Sequence, residues 1–178
     1  MNRLFLFLFS LVLSFPSCVS SSDDTKALRA EIENIISNKK AVVGVSIIAN
    51  NGKDTLSVNG DSRFPMQSVF KFHIALAVLS EIEKGHLALD QKMVLNKEDL
   101  LPEDFWSPLR DDYPNGGTFT IERLIQYAVS QSDNTACDVL IGLIGTPKSV
   151  ETFTKSIGVS DIQIVYNERD MQSEWDNM

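Results

Sequence analysis

The chain has 178 residues, 43% of them hydrophobic, and carries a formal net charge of −8 with a sequence pI near 4.7. That length serves one domain with an adequate core. The composition is ordinary for a globular protein, without repeats or low-complexity tracts, and the absence of a basic stripe argues against a nucleic-acid partner.

Residues 1–20 read as a secretory signal peptide. Arg3 is a positive start, 4–13 is an almost continuous apolar run too short to span a bilayer, and small residues follow at Ser14, Ser17 and Ser20. The competing reading is an uncleaved anchor. No later segment is long and apolar enough to cross a membrane. The folded part is therefore taken as 24–178. Cys18, after Phe15-Pro16-Ser17, is a candidate for the lipid-modified first residue of a lipoprotein. Cys137 is then the remaining thiol and has no partner for an internal disulfide. Its neighbours Val139, Leu140 and Ile141 place it in a buried helix as inert packing.

In chain order, Asp23 or Asp24 caps a helix with Ala27, Leu28, Ile32, Ile35 and Ile36 on one face. Residues 41–49 (AVVGVSIIA) form a β-branched run expected as a buried strand. Asn51-Gly52 signals a hairpin, and 54–58 is the returning strand. Two strands need more partners or a covering helix to be stable. A helix is predicted over 68–84, with Phe72, Ala75, Leu76, Leu79 and Ile82 inward and Gly85 at its end. Residues 96–117, rich in proline, acid and glycine, read as a long loop. Thr120 caps a helix with Ile121, Leu124, Ile125 and Ala128 inward. Asp133 or Asn134 caps the next, to about Ile144. Thr146-Pro147 starts another, with Val150, Phe153 and Ile157 inward and Gly158 as its stop. Residues 162–165 are a short apolar stretch leading to Asn167-Glu168, and the chain ends on polar, uncapped residues.

Three short motifs carry chemistry. In Ser68-Val69-Phe70-Lys71 the hydroxyl and the amine lie three apart and share a helix face. Serine needs a base within hydrogen-bond reach to act as a nucleophile, and a lysine serves only where burial or nearby charge favours its neutral form. A helix start also favours developing negative charge. The pattern by itself is weak: Ser37-Asn38-Lys39-Lys40 repeats it in a polar setting, and the structural alternative is an N-cap Ser68 with a solvated Lys71. Ser132-Asp133-Asn134 adds a proton relay (Ser132), a turn-fixing carboxylate (Asp133) and an amide for a substrate (Asn134); its alternative is an ordinary helix cap. Glu168 offers a carboxylate to activate water, or is a surface acid. His73 and His86 are the two histidines, and no zinc-ligand pattern or G-x-S-x-G elbow occurs, so a metal site and a Ser-His-Asp hydrolase are not expected. No cofactor is called for.

With these residues in this order the chain resembles a class A serine β-lactamase, from about Asp24 to the end. It is most similar to the cephalosporinase-like branch, through Phe64-Pro65-Met66-Gln67-Ser68-Val69-Phe70-Lys71, Trp106-Ser107-Pro108, Gln131-Ser132-Asp133-Asn134 and Tyr166-Asn167-Glu168. The resemblance implies an α+β fold of the β-lactamase and penicillin-binding-protein type, with a helical domain and an antiparallel sheet. It implies Ser68 as the acylated nucleophile, Lys71 as its proton partner, Ser132 as relay to the lactam nitrogen and Glu168 as base for the deacylating water. It places Asn134 on the substrate amide and Trp106 at the cleft mouth. Gln172 stands where many members have an asparagine that helps hold the water. Whether lysine or glutamate is the acylation base is disputed for the family. A β-lactam is the implied partner, with export to the periplasm and a monomeric state.

One departure is severe: no K-T-G or K-S-G follows Ser132. Lys155-Ser156-Ile157-Gly158 is one residue too long and is predicted on a helix. In the family that strand lines the cleft and gives the second oxyanion N–H, whose loss costs about 2.7–4 kcal/mol. The expectation is a C-terminally truncated member, with an incomplete sheet and little turnover by residues 1–178 alone. Two other readings stay open: a penicillin-binding-type acyl-enzyme that deacylates slowly, and a non-catalytic exported fragment.

Overall fold

The structure is a computed structural model and describes residues 21–176. The signal peptide read at 1–20, with Cys18, lies outside the described residues. The chain divides into two compact units between Pro65 and Met66. Helices together with small antiparallel sheets make it α+β, as expected.

In the first unit, α1 (Ser21–Ser37) packs on a hairpin of β1 (Val45–Ala49) and β2 (Asp54–Val58), paired from Val45↔Val58 to Ala49↔Asp54. Asn50, Asn51 and Gly52 turn the chain with φ of 51°, 54° and 84°, the left-handed region that asparagine and glycine tolerate. Arg29 Nη1 donates to the Ser57 carbonyl at 2.7 Å and ties the helix to β2. The predicted buried strand over 41–49 is corrected in two ways. Only 45–49 is strand, and most of it is exposed, with Ile48 73% accessible. β1 has β2 as its one strand partner among the described residues, so its apolar run meets solvent instead of a second layer.

The second unit is mostly helical: α2 (Phe70–Glu83), α3 (Pro108–Asp112), α4 (Ile121–Ser130), α5 (Asn134–Ile144), α6 (Pro147–Ser156) and α7 (Glu168–Asp176). Its starts are local chemistry. Thr120 accepts from the Arg123 N–H, Asp133 from Ala136 and Thr146 from Ser149, and each satisfies an otherwise orphaned donor. α5 packs against α2, α4, α6 and α7. Ile74, Val78, Leu124, Leu140 and Val150 are fully buried at their meeting point. Each contributes about 1.5–3 kcal/mol by leaving water, and Leu140→Ala would cost about 2–5 kcal/mol through the cavity left behind.

Four expectations are corrected here. The long loop over 96–117 holds α3 and borders a second two-stranded sheet, β3 (Lys92–Asn96) with β4 (Gly116–Thr120), paired from Lys92↔Thr120 to Asn96↔Gly116. Gly116 has φ 80°, and a Cβ there would lie 2.1 Å from the Leu95 carbonyl oxygen, so this glycine permits pairing and does not end it. In α2 the buried residues are Phe70, Lys71, Ile74, Ala75, Ala77 and Val78, so Ala75 is inward as expected, while Phe72 and Leu79 are exposed. This helix is apolar almost all round, so periodicity could not select its inner face. The tail is not uncapped: it forms α7. Ile157, expected inward on α6, is an exposed C-cap residue.

Candidate active site

Ser68 sits in the 3-10 turn Gln67–Val69 that leads into α2, one turn before Lys71. Gln67, immediately before it, holds φ 47°, and Ser132 holds φ 56°. Non-glycine residues in this region cost about 1–3 kcal/mol each and concentrate where function over-determines the backbone.

Lys71 is 2% accessible, and its ammonium is fully engaged. Nζ donates to the Ser132 carbonyl at 2.6 Å and to Asn134 Oδ1, and it pairs with Glu168 Oε1 at 3.0 Å. Three acceptors match three protons. Ser132 Oγ stands 3.4 Å from Nζ and donates to Ser68 Oγ at 2.7 Å. Ser68 and Lys71 thus meet through Ser132.

Glu168 begins α7, which brings its carboxylate to α2 and α5. Trp106 Nε1 donates to the Gln131 carbonyl at 2.8 Å, and the Asn134 N–H donates to the Trp106 carbonyl at 3.0 Å. The wall and the turn therefore brace each other. Trp106 remains 63% accessible. Ser68, Ser132, Asn134, Glu168, Trp106 and Gln172 line one cavity of about 510 Å³, with Gln67, Phe105 and Met171. Lys71 forms its buried side through Ser132 and Asn134. All seven residues picked from the sequence thus come to one place. A larger cavity, about 730 Å³, is lined by Glu81, Lys84, His86 and Lys148 among others, away from the serines.

The turn over 132–134 rests on a buried polar network. Asp133 accepts from the Leu109 N–H and the Ala136 N–H, each at 2.7 Å, and its Oδ2 lies 3.1 Å from Ser107 Oγ. Ser107 Oγ is 2.8 Å from Thr135 Oγ1, which accepts from the Leu101 N–H. Every buried oxygen of this group has a partner, so the network rigidifies the turn. His73 does not join the site: its Nδ1 is buried without a partner, and burial lowers its pKa below the usual value. Burial, then the charges of Glu168 and Asp138, push the Cys137 thiol well up.

Residues 27–176 match the sequence model described as the beta-lactamase enzyme family. The chain belongs to the beta-lactamase enzyme family. It is 48% identical over 174 residues to the beta-lactamase VEB-1 of Pseudomonas aeruginosa, covering 98% of this chain and 57% of that protein. Among solved structures, the TLA-1 extended-spectrum beta-lactamase is 39% identical with a TM-score of 0.81, over 86% of this chain and 55% of that one. A class A beta-lactamase from Bacteroides cellulosilyticus DSM 14838 is 36% identical with a TM-score of 0.79, over 85% and 55%. The chain spans about half the length of the curated relatives it matches.

In this beta-lactamase-family chain two carboxylates that sequence reading passed over hold the approach to Glu168. Asp138 on α5 accepts the Glu168 N–H at 2.7 Å and the Arg169 N–H at 3.1 Å. Glu151 on α6 is paired with Lys148 and Lys155 and accepts the Ile164 N–H at 3.1 Å; these bonds hold its carboxyl down near 2. The partners of Asp138 lie thirty and thirty-one residues along the chain and left no local motif; those of Glu151 include two local lysines. The Lys148-x-x-Glu151-x-x-x-Lys155 spacing, two lysines within one turn of a single acid, was the available signal.

Proposed function

We propose that this chain carries the acylating half of a secreted serine β-lactam hydrolase, which would confer resistance to penicillins or cephalosporins. The observation that carries the reading is the continuous contact from Glu168 through Lys71 and Ser132 to Ser68. Ser68 Oγ attacks the lactam carbonyl and forms the ester. Ser132, already bonded to Ser68, passes a proton to the lactam nitrogen as the ring opens. Lys71 holds Ser132 and Glu168 in register by charge and by hydrogen bonds. The Ser68 proton leaves through Ser132 toward Lys71, whose Nζ lies 3.4 Å from Ser132 Oγ and 3.0 Å from Glu168 Oε1. Glu168 then activates the water that cleaves the ester, with Gln172 beside it in the same cavity. Asn134 and Trp106 contact the substrate's side chain.

The reading includes export to the periplasm under the 1–20 signal, with Cys18 as a lipid-attachment candidate, and action as a monomer on a small molecule. Among the described residues no helix is long and apolar enough to cross a membrane. The folded domain is proposed to begin near residue 24. Hydrolysis is proposed for the protein that carries a complete cleft. The 178 residues contain no K-T-G after Ser132, so both steps are expected to be slower in them than in a protein with that second oxyanion donor.

Mixing the purified protein with a chromogenic cephalosporin, and following colour together with intact mass, tests this. Colour with turnover, or an adduct on Ser68, supports the reading. A folded protein giving neither overturns it.

A further inference from the structure

Asparagine precedes glycine at three places in the chain, 51–52, 59–60 and 115–116. The pair is chemically labile, because the glycine's backbone nitrogen can attack the asparagine's Cγ and no glycine side chain obstructs the approach. The rate depends on whether the backbone can turn there and on what the two groups are already bonded to. These three pairs share one local chemistry and have three different settings.

Asn115-Gly116 is held at the attacking nitrogen. The Gly116 N–H donates to the Tyr113 carbonyl at 2.9 Å, and Gly116 is itself paired with Asn96 where β4 meets β3. Asn59-Gly60 is held at the amide. Asn59 Nδ2 donates to the Val43 carbonyl at 2.8 Å, and a Cβ on Gly60 would collide with Ser57 Oγ, so the backbone there is closely packed. Asn51-Gly52 differs from both. It lies at the tip of the β1–β2 hairpin, and both residues are exposed. Asn51 has φ 54° and ψ 42°, and among the described residues its side chain has no hydrogen-bond partner. No atom lies within 4 Å of the place a Gly52 Cβ would take. The adjacent Asn50 gives its Nδ2 to Asp54 and is not followed by glycine.

We propose that Asn51 is a self-modification site, which loses its amide in the folded protein ahead of Asn59 and Asn115. The Gly52 nitrogen bonds to Asn51 Cγ, the Cγ–Nδ2 bond breaks, and ammonia leaves with the proton from the Gly52 nitrogen. The product is a succinimide ring. Water then opens the ring at either carbonyl. Breaking the new N–Cγ bond gives an aspartyl residue; breaking the original peptide bond gives an isoaspartyl residue, whose backbone runs through Cβ and Cγ. One water is consumed and one ammonia released, with no oxidation or reduction. Either product adds a negative charge to a chain that already carries −8.

The isoaspartyl product also changes the turn. The Lys53 N–H closes it on the Asn50 carbonyl at 3.2 Å, and strand pairing starts directly beyond, at Ala49↔Asp54. An extra backbone carbon lengthens this closed turn, and loop length sets hairpin register. The hairpin is expected to fray from its tip, at Ala49 and Asp54 first.

The test is independent of the hydrolase reading. Purified protein is kept in mildly alkaline buffer, and the three Asn-Gly peptides are followed over time by peptide mapping with mass spectrometry. The mass reads the change from amide to acid, and chromatographic retention separates the two acids. A second sample is treated alike in guanidinium chloride, where the three pairs are expected to convert at similar rates. In the folded protein Asn51 is expected to lead, with Asn59 and Asn115 slower by about 2–10-fold, the share of one hydrogen bond that must open before reaction. Gly52→Ala places a Cβ beside the attacking nitrogen and is expected to abolish the lead of Asn51 while the other two pairs convert as before. Asn59 or Asn115 converting as fast as Asn51 in the folded wild type overturns the proposal. So does an Asn51 that stays intact there while it converts in guanidinium chloride, or a folded Gly52→Ala protein that keeps the lead. If Gly52→Ala does not fold, the order of the three pairs in the wild type alone decides.

Discussion

The Ser132 hydroxyl donates to Ser68 Oγ across 2.7 Å while the Ser132 carbonyl accepts Lys71 Nζ at 2.6 Å. One residue, held at φ 56°, thus presents both its side chain and its backbone to the two ends of the Ser-x-x-K motif. Ser132→Ala removes the hydroxyl and keeps the carbonyl. Adduct formation on Ser68 is expected to slow by about 10²–10⁴, the usual contribution of a positioned proton carrier, with the fold intact by circular dichroism. A variant that acylates at the wild-type rate would remove Ser132 from the proton path.

Glu168→Gln should act on the other half of the reaction. The amide keeps the size of the side chain and loses its ability to take a proton from water. Acylation through Ser68 and Ser132 is expected to persist, while deacylation falls by about 10²–10⁴, so the adduct accumulates and is seen by mass spectrometry. If acylation stops as well, Glu168 serves the first step too. That outcome would favour glutamate over lysine as the acylation base.

Helix starts were legible because their chemistry is local. Thr120, Asp133 and Thr146 each satisfy a donor three residues on; Thr120 and Thr146 were placed from sequence, and Asp133 was one of two candidates with Asn134. The Ser68, Lys71, Ser132 and Asn134 set was legible because two short motifs fix residue types at fixed offsets. The illegible parts depend on distant partners. α7 needs Asp138, thirty positions before Glu168. β3 needs β4 across an intervening helix. The inner face of α2 was hidden because apolar residues surround it, so only neighbours decide which of them are buried.

The buried network at 132–135 gives a stability prediction. Asp133→Ala leaves the Leu109 and Ala136 N–H groups without their acceptor and removes a partner of Ser107. Each buried orphan costs about 1–3 kcal/mol, so the urea-unfolding free energy is expected to fall by about 2–5 kcal/mol. A change below about 0.5 kcal/mol, the range of neutral surface substitutions, would mean the turn is held by something else.

Asp138 also sets a pH dependence of stability whose sign runs against that of most paired acids. Its pKa lies at about 6 in the folded protein against 3.8 for an unperturbed aspartate. The folded state therefore binds the proton more tightly than the unfolded chain. The stabilisation this gives is complete below the unfolded value and is lost as pH rises through the folded one, by on the order of 3 kcal/mol in all. Glu151, held near 2, acts in the opposite sense and loses its contribution as pH falls. The difference between wild type and Asp138→Asn isolates the first term. From about pH 4 to about pH 7 the wild type should lose stability relative to the variant, measured by urea unfolding at each pH. A difference that stays flat across this window would show that the Asp138 carboxyl titrates in the folded protein as it does in the unfolded chain.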